Sequence, residues 1–150
     1  MDSKPRILVI DDDHRIIETT EAILKAEGYE VDTAETGKEA IAKSEKAFYN
    51  IALVDIRLPD CEGTQLLLKL KEWTPRTRKI IITGYPTMQN AISAVNQTAD
   101  AFMVKPVDIP EMLQTIKEQL KKQEAENKFN QAKVVEFIET RVQELAEVKG

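Results

Sequence analysis

Four short apolar runs, each closed abruptly by a polar side chain, constrain this chain most. They are Ile7-Leu8-Val9-Ile10 before Asp11, Ile51-Ala52-Leu53-Val54 before Asp55, Ile80-Ile81-Ile82 before Thr83, and Ala101-Phe102-Met103-Val104 before Lys105. A strand wetted on one side alternates apolar with polar residues, whereas an unbroken apolar run of this length reads as a strand covered on both faces. Between the runs the period becomes helical. Ile16, Ile17, Thr20, Ile23 and Leu24 recur at helical spacing and stop at Gly28. Tyr29, Val31 and Thr33 then alternate as in a half-buried strand, and Thr36-Gly37-Lys38-Glu39 has the form of a capping box opening a helix through about Lys46. Leu66, Leu67, Leu70 and Trp73 mark a third helix, and a weaker one spans roughly Thr87 to Asn96. Asp108-Ile109-Pro110-Glu111 is a second capping box, leading into Met112, Leu113, Ile116 and Leu120 on one face. Five strand–helix repeats predict a parallel sheet with helices on both faces and right-handed crossovers. In open sheets of this kind ligands gather outside the carboxyl ends of the strands.

Those ends carry Asp11, Asp12 and Asp13, then Asp55, Thr83 and Lys105. Each has an ordinary structural explanation. Acids ahead of a helix cap it and favour its positive end. Asp55 before a loop with Pro59 and Gly63 suits a turn, and His14 at a helix start reads as a solvated surface residue. These explanations do not say why complementary polar groups close four strands of one sheet. Clustered carboxylates suit a hard cation such as Mg²⁺, which prefers oxygen ligands and offsets their mutual repulsion. Lysine adds a fixed positive charge and threonine a hydroxyl, the parts needed to hold the equatorial oxygens of a phosphoryl group. Asp55, ionised at neutral pH, can act as nucleophile without a general base.

Composition narrows the setting. With 150 residues there is room for one domain and an appendage. A net charge of −5 argues against nucleic acid as a direct partner. No run is apolar and long enough for a membrane span, and Met1 to Arg6 has no apolar signal core. The only cysteine, Cys61, cannot form an intramolecular disulfide, which points to a reduced, cytoplasmic setting.

The stretches "ILVIDDD", "LVDIRLPDCEG", "IIITGYP" and "FMVKP" together resemble the CheY-like receiver domain of two-component response regulators, over about residues 5 to 122. The resemblance implies a doubly wound (βα)5, flavodoxin-like three-layer sandwich with a five-stranded parallel sheet. It implies that Asp55 is the phosphoacceptor and that Mg²⁺ is held by Asp11, Asp12, Asp55 and the backbone carbonyl of Arg57, with Asp12 the more direct ligand and Asp13 outside the shell. Thr83 matches the switch hydroxyl, Lys105 the phosphate-contacting lysine, Gly84 the small residue after the threonine and Phe102 the aromatic switch. Glu62, where Asp or Asn is common, and Cys61 are minor departures. The implied partner is a sensor histidine kinase, with signalling onward to an unidentified protein. Phosphotransfer and self-dephosphorylation would be the only chemistry, making the chain a switch and not a turnover enzyme. A phosphatase of the haloacid dehalogenase type would also use a strand-end Asp and Mg²⁺, but needs a second Asp where Arg57 stands. A degenerate receiver serving only as an interaction module is disfavoured by the complete set of Asp11, Asp12, Asp55, Thr83 and Lys105.

Residues 1–122 therefore read as the receiver and 123–150 as an amphipathic helical tail. Phe129, Ala132, Val135, Ile138, Val142 and Leu145 recur at spacings of three and four, a stripe that must be buried somewhere. Pairing of two copies through residues 129–145, folding back and docking on another protein are the expectations. From Lys121 onward six basic residues balance six acidic ones, unlike a DNA-binding arm, and the segment is too short for a helix-turn-helix output domain.

Overall fold

Strand β1 (Arg6–Ile10) is an inner strand of the sheet, and from Ile7 onward all its residues are buried. The structure, a computed structural model, describes residues 4–61, 63–84 and 99–149. After β1 come α1 (His14–Ala26), β2 (Glu30–Ala34), α2 (Gly37–Lys46), β3 (Ile51–Asp55), α3 (Gly63–Trp73), β4 (Arg78–Thr83), β5 (Ala101–Val104) and α4 (Ile109–Lys149). The expected helix at Thr87 to Asn96 and the residue Glu62 lie outside the described residues.

All four strand pairings are parallel and the sheet order is β2-β1-β3-β4-β5. The parallel sheet is the one predicted from the alternation, and its order is the flavodoxin-like arrangement that the resemblance implies. Side chains of each strand divide between the two faces. Leu8, Ile10, Ala52, Val54 and Ile81 pack with Ala40 of α2 and Leu66, Leu67 and Leu70 of α3. Ile7, Val9, Leu53, Ile80, Ile82 and Met103 pack on the other face with Leu24 of α1 and Met112 and Ile116 of α4. Two apolar layers, one on each side of the sheet, explain the unbroken apolar runs at residues 7–10, 51–54 and 80–82 in the central strands.

Turn chemistry fixes where the strands end. The tight stop of α1 is a Schellman motif: Tyr29 N–H donates to Leu24 O at 3.1 Å and Gly28 N–H to Lys25 O at 3.0 Å. The reversal requires φ of +95° at Gly28, a conformation that costs other residues strain. Thr36 caps α2 by accepting Glu39 N–H at 3.1 Å, while Glu39 Oε2 accepts from Glu35 N–H at 3.1 Å, one residue upstream of the reciprocal bond of a regular capping box.

The chain separates into two compact units, Met1–Leu120 and Lys121–Gly150. Within the second unit the tail stripe is helical, and Phe129, Val135, Ile138, Val142 and Leu145 are all more than half exposed. The stripe is not a single line, however. Phe129 and Ile138 are nine positions apart, about two and a half turns, and so lie on opposite sides of the helix. No described helix is long and apolar enough to cross a membrane.

Candidate functional site

The strand order reverses between β1 and β3, its neighbour in the sheet, and there the two chain directions leave a crevice at the carboxyl ends of the strands. Asp11 follows the last residue of β1 and Asp55 is the last residue of β3, so the crevice is lined by carboxylates from both sides. Oxygens of Asp11, Asp12 and Asp55 lie within 4.8 Å of one another. Asp11 and Asp55 are buried, at 4% and 7% exposure, whereas Asp12 is exposed.

The three consecutive aspartates divide into three roles. Asp11 Oδ1 accepts the N–H of Asp13 at 3.0 Å, and its Oδ2 accepts from Lys105 Nζ at 2.9 Å. Asp12, exposed, keeps a carboxylate oxygen within the cluster. Asp13 is the N-cap of α1, with Oδ1 accepting Arg15 N–H at 2.9 Å. Capping therefore accounts for the third acid alone.

Lys105 reaches the cluster from the end of β5. Its Nζ donates to Asp55 Oδ2 at 3.3 Å as well as to Asp11, which joins both buried acids through one cation. Its backbone N–H donates to Thr83 O at 2.7 Å, holding the end of β5 against the end of β4. Asp55 Oδ1 also accepts the N–H of Arg57 at 3.2 Å. Burial, and next the negative charge of Asp11, push the Asp55 carboxyl above the ordinary aspartate range, while Lys105 and the Arg57 N–H oppose the shift. Burial tends to lower the Lys105 ammonium, but its bonds to Asp11 and Asp55 outweigh this and raise it. The result is a lysine held charged among acids whose repulsion it only partly offsets.

Thr83, fully buried, ends β4. A Cβ at Gly84 would meet Lys105 carbons at 3.8 Å, ordinary contact, so the space there accepts a small side chain. Phe102 lies outside the core on the edge strand β5, 44% exposed and in register with Ile81. His14, exposed as expected, has Nε2 2.9 Å from Glu35 Oε1. Asp60 has a role that no reading of the sequence assigned. Its carboxylate accepts Gly37 N–H at 2.8 Å and Lys38 N–H at 3.0 Å, tying the loop after β3 to the start of α2, and these bonds lower its pKa. A single Asp in a loop after a strand is too common to have revealed it. Cys61 sits against Gly37, and burial, then the charge of Asp60, raise its thiol pKa, so it is not an activated nucleophile.

Residues 7–117 match the family described as the response regulator receiver domain. The chain belongs to that family. A CheY-like receiver from Methanospirillum hungatei JF-1 is 48% identical and superposes with a TM-score of 0.78, covering 83% of this chain and 99% of that one. The response regulator TrrA of Thermotoga maritima, solved in complex with Mg(2+)-BeF, is 30% identical with a TM-score of 0.71 over 77% of this chain and 98% of that chain. Among curated relatives, the transcriptional regulatory protein TrcR of Mycobacterium tuberculosis is 30% identical over 108 residues, 72% of this chain and 42% of TrcR. ZraR of Klebsiella oxytoca is 31% identical over 114 residues, 76% of this chain and 26% of ZraR. The receiver thus spans well under half the length of these relatives, which are transcriptional regulatory proteins.

Proposed function

We propose that this receiver accepts a phosphoryl group from a sensor histidine kinase on Asp55, with Mg²⁺ as cofactor, and signals through contacts with a downstream protein that depend on phosphorylation. The observation that carries the reading is the trio of carboxylates within 4.8 Å, two of them bonded to the Lys105 ammonium. Such a hard-oxygen donor set fits Mg²⁺, with Asp11, Asp12, Asp55 and the Arg57 carbonyl as protein ligands. When bound, the ion supplies positive charge that offsets both the acids and the phosphoryl oxygens.

Asp55 supplies the attacking oxygen. An oxygen–phosphorus bond forms as the nitrogen–phosphorus bond of the donor phosphohistidine breaks, its electron pair stays on that nitrogen, and the ring, protonated at its other nitrogen, leaves as neutral imidazole. Lys105, already within hydrogen-bond distance of Asp55, receives charge that develops on the phosphoryl oxygens. The Thr83 hydroxyl, at the end of the adjacent strand, donates to one of those oxygens once transfer is complete. Its movement leaves space that Phe102, now outside, fills by turning inward, so phosphorylation shifts a pre-existing equilibrium between two arrangements. Water later hydrolyses the acyl phosphate at the same site, which makes the domain a timed switch and not a turnover enzyme. The TrrA complex with Mg(2+)-BeF and the single cysteine agree with this reading and with a cytoplasmic setting alongside the kinase.

The test is transfer from a phosphorylated histidine kinase core. Label is expected to move to the wild-type chain with Mg²⁺, to be absent from Asp55→Asn and to be lost on chelation. Equal labelling of Asp55→Asn rules the assignment out.

A further inference from the structure

The unit Lys121–Gly150 is helical through Lys149 and carries apolar side chains with no cover. Val134 (57%), Val135 (52%), Ile138 (54%), Val142 (60%), Leu145 (56%) and Val148 (84%) are all more than half exposed. Val135, Ile138, Val142 and Leu145 follow a three-four-three spacing, the a and d positions of a heptad repeat. β-Branched valine at both a positions and leucine at the second d position, Leu145, follow the pattern that favours two strands, and isoleucine at the first d position, Ile138, departs from it. Phe129 lies on the opposite side of the helix and takes no part.

We propose that residues 134–148 pair with a second copy of this chain as a short parallel coiled coil. Charge decides between the two orientations. Glu139 and Ala146 fall at e positions, and Val134, Arg141 and Val148 at g positions. In a parallel pair g faces the e position five residues on, so Arg141 meets Ala146 and Val134 meets Glu139, with no like charges opposed. In the antiparallel pair that keeps all four core layers, g faces g and e faces e, so Val134 meets Val148, but two Arg141 side chains meet and two Glu139 side chains meet. Like charges across such a seam are disfavoured, and specificity here comes from that repulsion.

The area sets the strength. About half the surface of six side chains on each copy amounts to on the order of 1,000 Å² in all, the low end for a specific interface. The pair is therefore weak, with a dissociation constant on the order of 10–100 μM after association costs. The proposal rests on the tail alone and is independent of the chemistry at Asp55.

Sedimentation equilibrium of the full chain at about 200 μM, above the whole of that range, tests it. The wild type is expected to show a monomer–dimer equilibrium. Ile138→Asp, a charge in the seam, weakens it at least tenfold, and Thr140→Asp on the outward face leaves it unchanged. Both positions are exposed in the single chain, so the helix survives either change, which circular dichroism verifies. A monomeric wild type, or an Ile138→Asp chain that associates as tightly as wild type, overturns the proposal. For orientation, Val142→Cys in a Cys61→Ser background is expected to give a covalent dimer on oxidation. Cross-linking only when Val142→Cys is mixed with Ile138→Cys overturns the parallel alignment.

Discussion

Replacing Asp55 by asparagine is expected to stabilise the metal-free protein at neutral pH. Oxygens of Asp11, Asp12 and Asp55 lie within 4.8 Å of one another. At that separation and an effective dielectric of about 20, each like-charged pair costs at least about 3.5 kcal/mol. The Lys105–Asp55 bond at 3.3 Å returns about 5 kcal/mol on the same scale. The two repulsions that involve Asp55 thus exceed its one attraction by about 2 kcal/mol, and burial of the charge adds to the deficit. Asp12 is exposed, so solvent weakens its share, and a net gain of about 1–2 kcal/mol is expected. Asparagine keeps the shape and can still accept the Arg57 N–H, and Lys105 keeps its 2.9 Å bond to Asp11. Urea unfolding with a chelator measures the difference, read from midpoints at equal slope. The pH dependence gives a second reading. Asp55 has a raised pKa in the fold, so its protonated form is the favoured one, and the stability tied to it is present at acid pH and lost as pH rises through the folded pKa. The gap between variant and wild type is therefore widest near neutrality and closes on acidification. Added Mg²⁺ stabilises wild type more than the variant, since only wild type keeps all three acids. A variant less stable than wild type in chelator at neutral pH, or a gap that widens as pH falls, refutes the reasoning.

Lys105→Met leaves Asp11 and Asp55 without their shared cation and is expected to cost about 2–4 kcal/mol in the metal-free protein, with Mg²⁺ restoring more than it adds to wild type; urea midpoints with and without the ion check both. Gly28→Ala meets no atom within 4 Å, yet φ of +95° at that position makes it destabilising by about 1 kcal/mol in thermal or urea unfolding. Asp60→Ala removes both bonds to the start of α2 and is expected to cost about 1 kcal/mol and to speed amide exchange at Gly37 and Lys38 more than at α1.

Much of this protein is legible in its sequence because both faces of the sheet are covered. That single fact keeps the middle of each central strand apolar and makes the first polar residue after each run conspicuous. The sheet edge was therefore readable, and so were Asp11, Asp55, Thr83 and Lys105 as its occupants. The division of labour within Asp11-Asp12-Asp13 was less so, because it depends on which carboxylate turns under Lys105 and which turns back to cap α1. Asp60 was hidden for a different reason. Its partners, Gly37 and Lys38, are backbone groups more than twenty positions away, and backbone donors carry no side-chain signature. Lys79 shows the limit of apolar runs as strand markers. It is buried inside β4, its ammonium donating to Thr77 O at 2.6 Å and Thr74 O at 3.2 Å, so a strand that looked as if it began at Ile80 starts at Arg78. The tail stripe was read correctly as helical, but spacings of three and four alone did not reveal that Phe129 falls on the far side from Ile138.

The central claim is that Asp55 is the phosphoacceptor of a cation-dependent switch. Intact mass of the full chain after incubation with acetyl phosphate tests this without needing the cognate kinase. One added phosphoryl group is expected on wild type in the presence of Mg²⁺, and none on Asp55→Asn or in chelator. A wild-type chain that gains no phosphoryl group with Mg²⁺ present, or an Asp55→Asn chain that gains one as readily, contradicts the account.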